Sequence, residues 1–219
     1  MSSGNFKQDV YAQLARVAKA VGHANRLELL EFVAQGPRSV DELAGMTHLS
    51  VANASKHLQE LRQVGLVRAR KEGVRVFYEL AGPDVVGLLA ALRTVAEARV
   101  AEVSQLLRTY ITARDDLEPI PADELMKRAK LGLVTVLDVR PAEEYGAGHL
   151  PGAINVTMDA LSGHLKRLPK GREVIAYCRG PYCLLSVDAV ALLREKGYQA
   201  RRLEDGFPEW KASGLPVEG

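Results

Sequence analysis

Apolar residues recur every three to four positions over residues 6–21 (Val10, Leu14, Val17, Val21), a helical period that His23-Ala-Asn25 interrupts. A second helix is predicted from about Arg26 to Ala34, closed by Gly36-Pro37. Ser39-Val-Asp-Glu42 has the form of a capping box and opens a short helix to about Gly45. Thr47-His-Leu-Ser50 is a tight turn. Ser50 then caps a longer helix with Val51, Ala54, Leu58, Leu61 and Val64 on one face. After Gly65 the period changes to alternation, and Leu66–Leu80 reads as a β-hairpin turning at Glu72-Gly73. Pro83 suits the first turn of a further helix. Val85, Leu88, Leu89, Leu92, Val95, Val100, Val103, Leu106, Leu107 and Tyr110 carry apolar character along it to about Ala113. That stripe is longer than one small domain can bury. It predicts a homodimer joined through the first helix (Val10, Leu14, Val17) and the helix at 83–113.

Asp115-Asp-Leu-Glu-Pro-Ile-Pro121 is acidic and bears two prolines, and the domain boundary is placed there, giving domains 1–114 and 115–219. Beyond it the order becomes helix, strand, helix, strand. Leu133–Asp138 and Glu173–Tyr177 are continuous apolar runs ending in polar residues, as buried parallel strands are. Helices near 121–130, 158–168 and 182–197 separate the strands, and Gln199–Leu203 is a further strand. The expected fold is a mainly-α winged helix-turn-helix domain followed by an α/β three-layer domain with a parallel sheet.

Length agrees with two domains, since 219 residues suffice for two cores. No apolar run approaches the roughly 18 residues of a membrane span. The N-terminus lacks a basic start followed by an apolar stretch, so a cytoplasmic protein with reduced thiols and no membrane partner is expected. Charge divides unevenly. Residues 1–114 carry 15 basic and 11 acidic side chains, a net +4, and residues 115–219 carry 14 and 16, a net −2. A basic first half suits a polyanionic partner. Arg68, Arg70, Lys71 and Arg75 cluster around the hairpin turn, placed to reach phosphates while the preceding helix enters the major groove.

Residues 21–80 resemble the ArsR/SmtB family of winged-helix repressors, most closely over Leu49-Ser-Val-Ala-Asn-Ala-Ser-Lys-His-Leu58 and Leu61-Arg-Gln-Val-Gly-Leu-Val67. The resemblance implies a homodimer, a double-stranded operator with an inverted repeat, and repression relieved by a chemical signal. It places Asn53, Ser55, Lys56, Gln59 and Arg62 on the groove side, with Ser50 at the helix start. His57 sits beside the apolar arc and is open to two readings, a base contact or a packed ring. Metal sensors of that family carry Cys or His ligands on the third or last helix. Ser39–Met46 and Pro83–Arg114 contain neither, so no metal site and no cofactor is expected.

The two cysteines, Cys178 and Cys183, lie five positions apart between a strand and a helix. Loop N–H groups and a helix N-terminus favour a thiolate there, and Arg179 can add positive charge. A disulfide closing so short a loop would stabilise little, which points to reactivity. Residues 119–219 resemble a single-domain rhodanese, through Asp138-Val-Arg140-Pro-Ala-Glu-Glu-Tyr-Gly-Ala-Gly-His149-Leu-Pro-Gly-Ala-Ile-Asn155 and Gly206-Phe-Pro-Glu-Trp210-Lys-Ala-Ser-Gly-Leu-Pro216. The resemblance makes Cys178 the nucleophile that carries a persulfide. Cell-cycle phosphatases share the fold but need Arg six positions after the cysteine, where this chain has Leu184. Cys183 stands where thiosulfate-using rhodaneses place a cation, and is read as a resolving thiol. Asp138 and Arg140 are assigned to supporting the loop and nearby chain ends, Tyr182 to loop packing, His149 to a structural hydrogen bond and His164 to the surface. Two functions follow: a repressor sensing small sulfur species or redox state, or a sulfurtransferase serving a thiol acceptor while carrying a DNA-binding domain.

Overall fold

The computed structural model describes residues 3–115, 118–169 and 171–219, with the side chains of Ser3 and Gly4 left aside. The chain forms two compact units, the first ending at Val85 and the second starting at Val86. Asp116 and Leu117, within the predicted junction, lie outside the described residues.

The first unit runs α1 (Ser3–Val21), α2 (Ala24–Ala34), β1 (Arg38–Ser39), α3 (Val40–Met46), α4 (Val51–Gln63), β2 (Val67–Glu72) and β3 (Arg75–Leu80). The capping box opens α3 as expected: the Glu42 backbone N–H donates to the Ser39 hydroxyl (3.3 Å), and the Glu42 carboxylate accepts from Ser39 N (2.7 Å). Ser50 caps α4 by accepting from Asn53 N (3.2 Å). The hairpin pairs Val67 with Leu80 through to Glu72 with Arg75, and β1 adds to the far side of β3. Leu29, Leu30 and Val33 of α2, Leu43 of α3, and Ala54, Leu58 and Leu61 of α4 form the core. Val51, predicted to share that face, is instead 49% exposed, and the buried face of α4 begins at Ala54.

α5 (Pro83–Arg99) crosses the unit boundary and leads into α6 (Ala101–Leu107) and a π-helical turn (Arg108–Thr112). The single helix expected over 83–113 is therefore broken at Val100, whose backbone is extended (φ −108°, ψ 106°). The Ser104 hydroxyl donates to the Glu97 carbonyl (2.9 Å), taking over a backbone acceptor at the break.

The second unit continues with α7 (Ala122–Lys130), β4 (Val134–Asp138), α8 (Ala142–Gly146), β5 (Ile154–Asn155), α9 (Met158–His164) with a 3-10 turn (Leu165–Arg167), β6 (Glu173–Tyr177), α10 (Leu184–Glu195), β7 (Ala200–Arg202) and α11 (Phe207–Ala212). Its sheet is parallel, in the order β5-β4-β6-β7. Side chains alternate between two layers, as strand geometry requires. Val174, Ala176 and Cys178 pack with Leu161, Val190 and Leu193 on one face. Ile175 and Tyr177 pack with Leu125, Phe207 and Trp210 on the other. The junction is anchored at Asp115, whose buried carboxylate pairs with Arg202 (2.6 Å) and Arg194 (2.8 Å). Among the described residues, no helix is long and apolar enough to cross a membrane.

Candidate functional site

Asp138 of β4 is paired with Tyr177 of β6, so Cys178 emerges at the carboxyl end of the sheet. That is where parallel α/β folds present their ligands and reactive groups. Cys178 is 2% exposed, and Cys183 forms the N-cap of α10. The two thiols, expected to be free, are joined by a disulfide across a Cα–Cα separation of 6.1 Å. Cys183 N donates to the Gly180 carbonyl (3.1 Å), and Phe207 N donates to the Cys178 carbonyl (3.1 Å), so both ends of the loop are fixed by backbone bonds.

The Asp138–Arg140 ion pair lies at the carboxyl ends of β4 and β6, where Asp138 pairs with Tyr177, the residue before Cys178. Arg140 and Asp138 are both fully buried, with Nη2 donating to Oδ2 (2.7 Å), Nε to Oδ1 (3.1 Å) and the Arg140 backbone N–H to Oδ1 (2.9 Å). Nη2 also reaches the Gly148 carbonyl (2.8 Å), and the guanidinium lies 4.2 Å from the Phe207 ring centroid. The Tyr177 hydroxyl donates to Asp138 Oδ2 and accepts from Leu150 N (3.1 Å). Burial and then the Asp138 charge push the Tyr177 phenol well above its ordinary pKa, so it stays a donor. His149 stacks on Tyr145 at 3.7 Å and its Nδ1 lies 3.0 Å from the Tyr145 carbonyl.

Three residues that bear on the loop escape sequence reasoning. Arg179, expected to lend charge to Cys178, is held in a bidentate pair with the fully buried Glu144 of α8 (2.7 and 3.0 Å), which balances that charge. Gly206 backs directly onto the loop. A Cβ there would overlap the Arg179 carbonyl group and lie 2.5 Å from Gly180 Cα. Glu97 of α5 accepts a 2.6 Å hydrogen bond from the Tyr182 hydroxyl, so Tyr182, expected to pack within the loop, instead reaches a helix 85 residues earlier. Glu144 and Gly206 fall within the two quoted motifs, whereas Glu97 had no local sign in the sequence.

In the first unit, Asn53, Lys56, Gln59 and Arg62 project from α4 as exposed side chains, with Ser55 half-buried among them and accepting from the Gln59 amide (3.4 Å). Ser50 is spent as the helix cap. His57 departs from this group: its ring packs on His23 at 4.6 Å and its Nδ1 is buried. Burial, then the neighbouring His23 and Arg26, hold its pKa below the usual histidine range. On the hairpin, Arg68, Arg70, Lys71 and Arg75 are all exposed, and Arg70 pairs with Glu72. Among the described residues, no cluster of His, Cys, Asp and Glu could hold a metal ion.

Comparison with known proteins divides the chain at the same features. Residues 23–69 match the family described as bacterial regulatory protein, arsR family, and residues 121–213 match the rhodanese-like domain. The HTH-type transcriptional regulator Rv0324 of Mycobacterium tuberculosis is 43% identical over 206 residues, 94% of this chain and 90% of that one. A sulfurtransferase of Allochromatium vinosum is 32% identical over 85 residues, 38% of this chain and 78% of that one. The solution structure of the homodimeric winged helix-turn-helix DNA-binding domain (fragment 1-100) of Mb0332 from Mycobacterium bovis is 40% identical, covers 46% of this chain and 91% of that one, and superposes with a TM-score of 0.42. With identity to Rv0324 sustained over nearly its whole length, the chain belongs to the family of that HTH-type transcriptional regulator, with an arsR-type helix-turn-helix region followed by a rhodanese-like domain.

Proposed function

We propose that this protein is a cytoplasmic DNA-binding repressor, acting as a homodimer, whose affinity for its operator is set by the state of Cys178 and Cys183. The observation that carries this reading is the bonded thiol pair at the carboxyl end of a buried strand, in a chain whose other half is an arsR-type helix-turn-helix. The Cys178 thiolate attacks the terminal sulfur of a small polysulfide, breaking its S–S bond, so that Cys178 becomes a persulfide and the polysulfide leaves one sulfur shorter. The Cys183 thiolate then attacks the Cys178 Sγ, expelling hydrosulfide and closing the disulfide. Val10 and Leu14 on α1, and Leu88, Leu92 and Val95 on α5, leave exposed apolar stripes that a second copy would cover. The exposed face of α4 would then read base edges through Asn53, Ser55, Lys56, Gln59 and Arg62.

An effector changes DNA binding only through its different affinity for two conformations. The test uses a duplex selected by the protein from a random pool. At least a tenfold difference in Kd is expected between dithiol and polysulfide-treated protein, and none in Cys178→Ser. Equal affinities of the two wild-type forms would sink the sensor reading. On the hairpin, Lys71→Ala and Arg75→Ala should each weaken binding to any sequence. Each should lower the slope of log K against log salt by about 0.9, as loss of one phosphate contact does. An unchanged slope would remove that side chain from the contact list.

The match to a sulfurtransferase favours a second reading, in which the rhodanese-like domain serves a thiol acceptor. Two features weigh against high turnover with the thiosulfate dianion: Cys183 at the loop's last position, and the Glu144 carboxylate balancing Arg179. Sulfur transfer at a rate indifferent to bound DNA would favour that reading.

A further inference from the structure

We propose that α5 reads the state of the thiol loop through two side chains one helical turn apart, Glu97 and Arg93, which engage the loop through Tyr182 and through Glu209. This inference rests on the reading of the cysteine pair as a sensor and supplies the mechanical link that reading needs.

Both ends of the loop converge on the same face of α5. Tyr182, adjacent to Cys183, donates its hydroxyl proton to Glu97 (2.6 Å), and its ring lies 6.0 Å from the Arg93 guanidinium. Arg93 in turn forms a 2.6 Å ion pair with Glu209, and the two side chains are only 23% and 11% exposed. The other oxygen of Glu209 accepts from Gly206 N (3.2 Å), and Gly206 is the residue packed against the Arg179-Gly180 backbone. Displacing the loop at its Cys183 end therefore pulls on Glu97, and at its Cys178 end on Arg93. Burial first, then the bond to Glu97, raises the Tyr182 phenol well above its ordinary range, so this donor keeps its proton throughout the physiological range. α5 itself begins at Pro83, three residues after the hairpin strand β3 ends at Leu80, so it is the segment through which the chain passes from the wing into the second unit. A second clamp, Asp115 with Arg194 and Arg202, fixes the far end of the helical segment to α10 and β7 and gives it a fixed point to pivot about.

Opening the disulfide breaks the Sγ–Sγ bond and takes two electrons and two protons, supplied in the experiment by dithiothreitol. The loop is then released from its covalent closure, Tyr182 shifts, and the Glu97 linkage changes. The linkages transmit the change and take no part in the thiol chemistry, which gives the test its discrimination.

The full-length protein is compared with Tyr182→Phe and Glu97→Ala, each as disulfide and as dithiol. Two quantities are read: the rate of disulfide formation with oxidised glutathione, by mass spectrometry, and the ratio of DNA Kd values between the two forms. The glutathione rate is expected to stay within threefold of wild type in both variants, while the Kd ratio falls from tenfold or more to below threefold in each. Retention of the wild-type ratio by either variant overturns the linkage while leaving the sensor standing. A wild-type ratio of one overturns the sensor itself, and the linkage with it. Glu97 is an exposed side chain, so the Glu97→Ala arm, which removes the acceptor, decides the matter even if Tyr182→Phe fails to fold.

Discussion

Replacing Arg140 with alanine is expected to destabilise the second unit by about 3–5 kcal/mol, the range for stripping one partner from a buried ion pair. The cost arises mainly from what remains. Asp138 is fully buried, and without the Arg140 side chain its carboxylate keeps the Tyr177 hydroxyl and the backbone N–H of residue 140 but loses the guanidinium that neutralises it. The Gly148 carbonyl loses its donor as well, and the Phe207 ring loses the cation stacked on it. Urea unfolding of the full chain followed by tryptophan fluorescence isolates the effect, because the sole tryptophan, Trp210, is buried in this unit. The paired substitution Asp138→Leu with Arg140→Met should cost less than Arg140→Ala alone, since it removes both charges and refills the space. A loss below 1 kcal/mol for Arg140→Ala would show that water or rearrangement satisfies Asp138, and that the pair does not hold the strand ends.

The same site shows what was legible in the sequence and what was not. Ser39 and Glu42, the hairpin turn and the caps of α4 were legible because each is settled within four residues by local hydrogen bonding. β4 and β6 were legible because strands covered on both faces read as unbroken apolar runs. The loop between β6 and α10 was legible as well, since both cysteines fall between an apolar run and a helical period. The break at Val100 was hidden, because the apolar spacing of 83–113 continues across it, and the extended backbone of Val100 and the Ser104 hydroxyl's bond to Glu97 appear only in the fold. α8 and α11, at five and six residues, are too short to show a period. What surrounds the loop was least visible. Glu144, Gly206 and Glu97 meet it from 35, 27 and 85 residues away, counted to Arg179 and Tyr182, so no local pattern could join them. Arg179 illustrates the limit: adjacency to Cys178 suggested an activating cation, and only the fold reveals the carboxylate that claims it.

Gly206→Ala is expected to have the second largest effect, and through geometry alone. The methyl group would overlap the Arg179 carbonyl and lie 2.5 Å from Gly180 Cα, and because these are backbone atoms they cannot turn aside as a side-chain tip can. Either the start of α11 or the cysteine loop must shift. Overpacking of this kind costs about 1–3 kcal/mol. It should also break the 3.1 Å bond from Phe207 N to the Cys178 carbonyl, which fixes where Cys178 stands relative to Cys183. The disulfide then forms between thiols held less well, so its equilibrium constant against glutathione should fall at least tenfold. Gly163→Ala is the control: it lies in the last turn of α9, no atom approaches within 4 Å of its new Cβ, and replacing a helical glycine there should raise stability by no more than about 0.5–1 kcal/mol. If Gly206→Ala unfolds and exchanges with glutathione like the wild type, the loop is not positioned from behind by α11. The Glu209–Arg93 arm would then have no rigid contact through which to sense it.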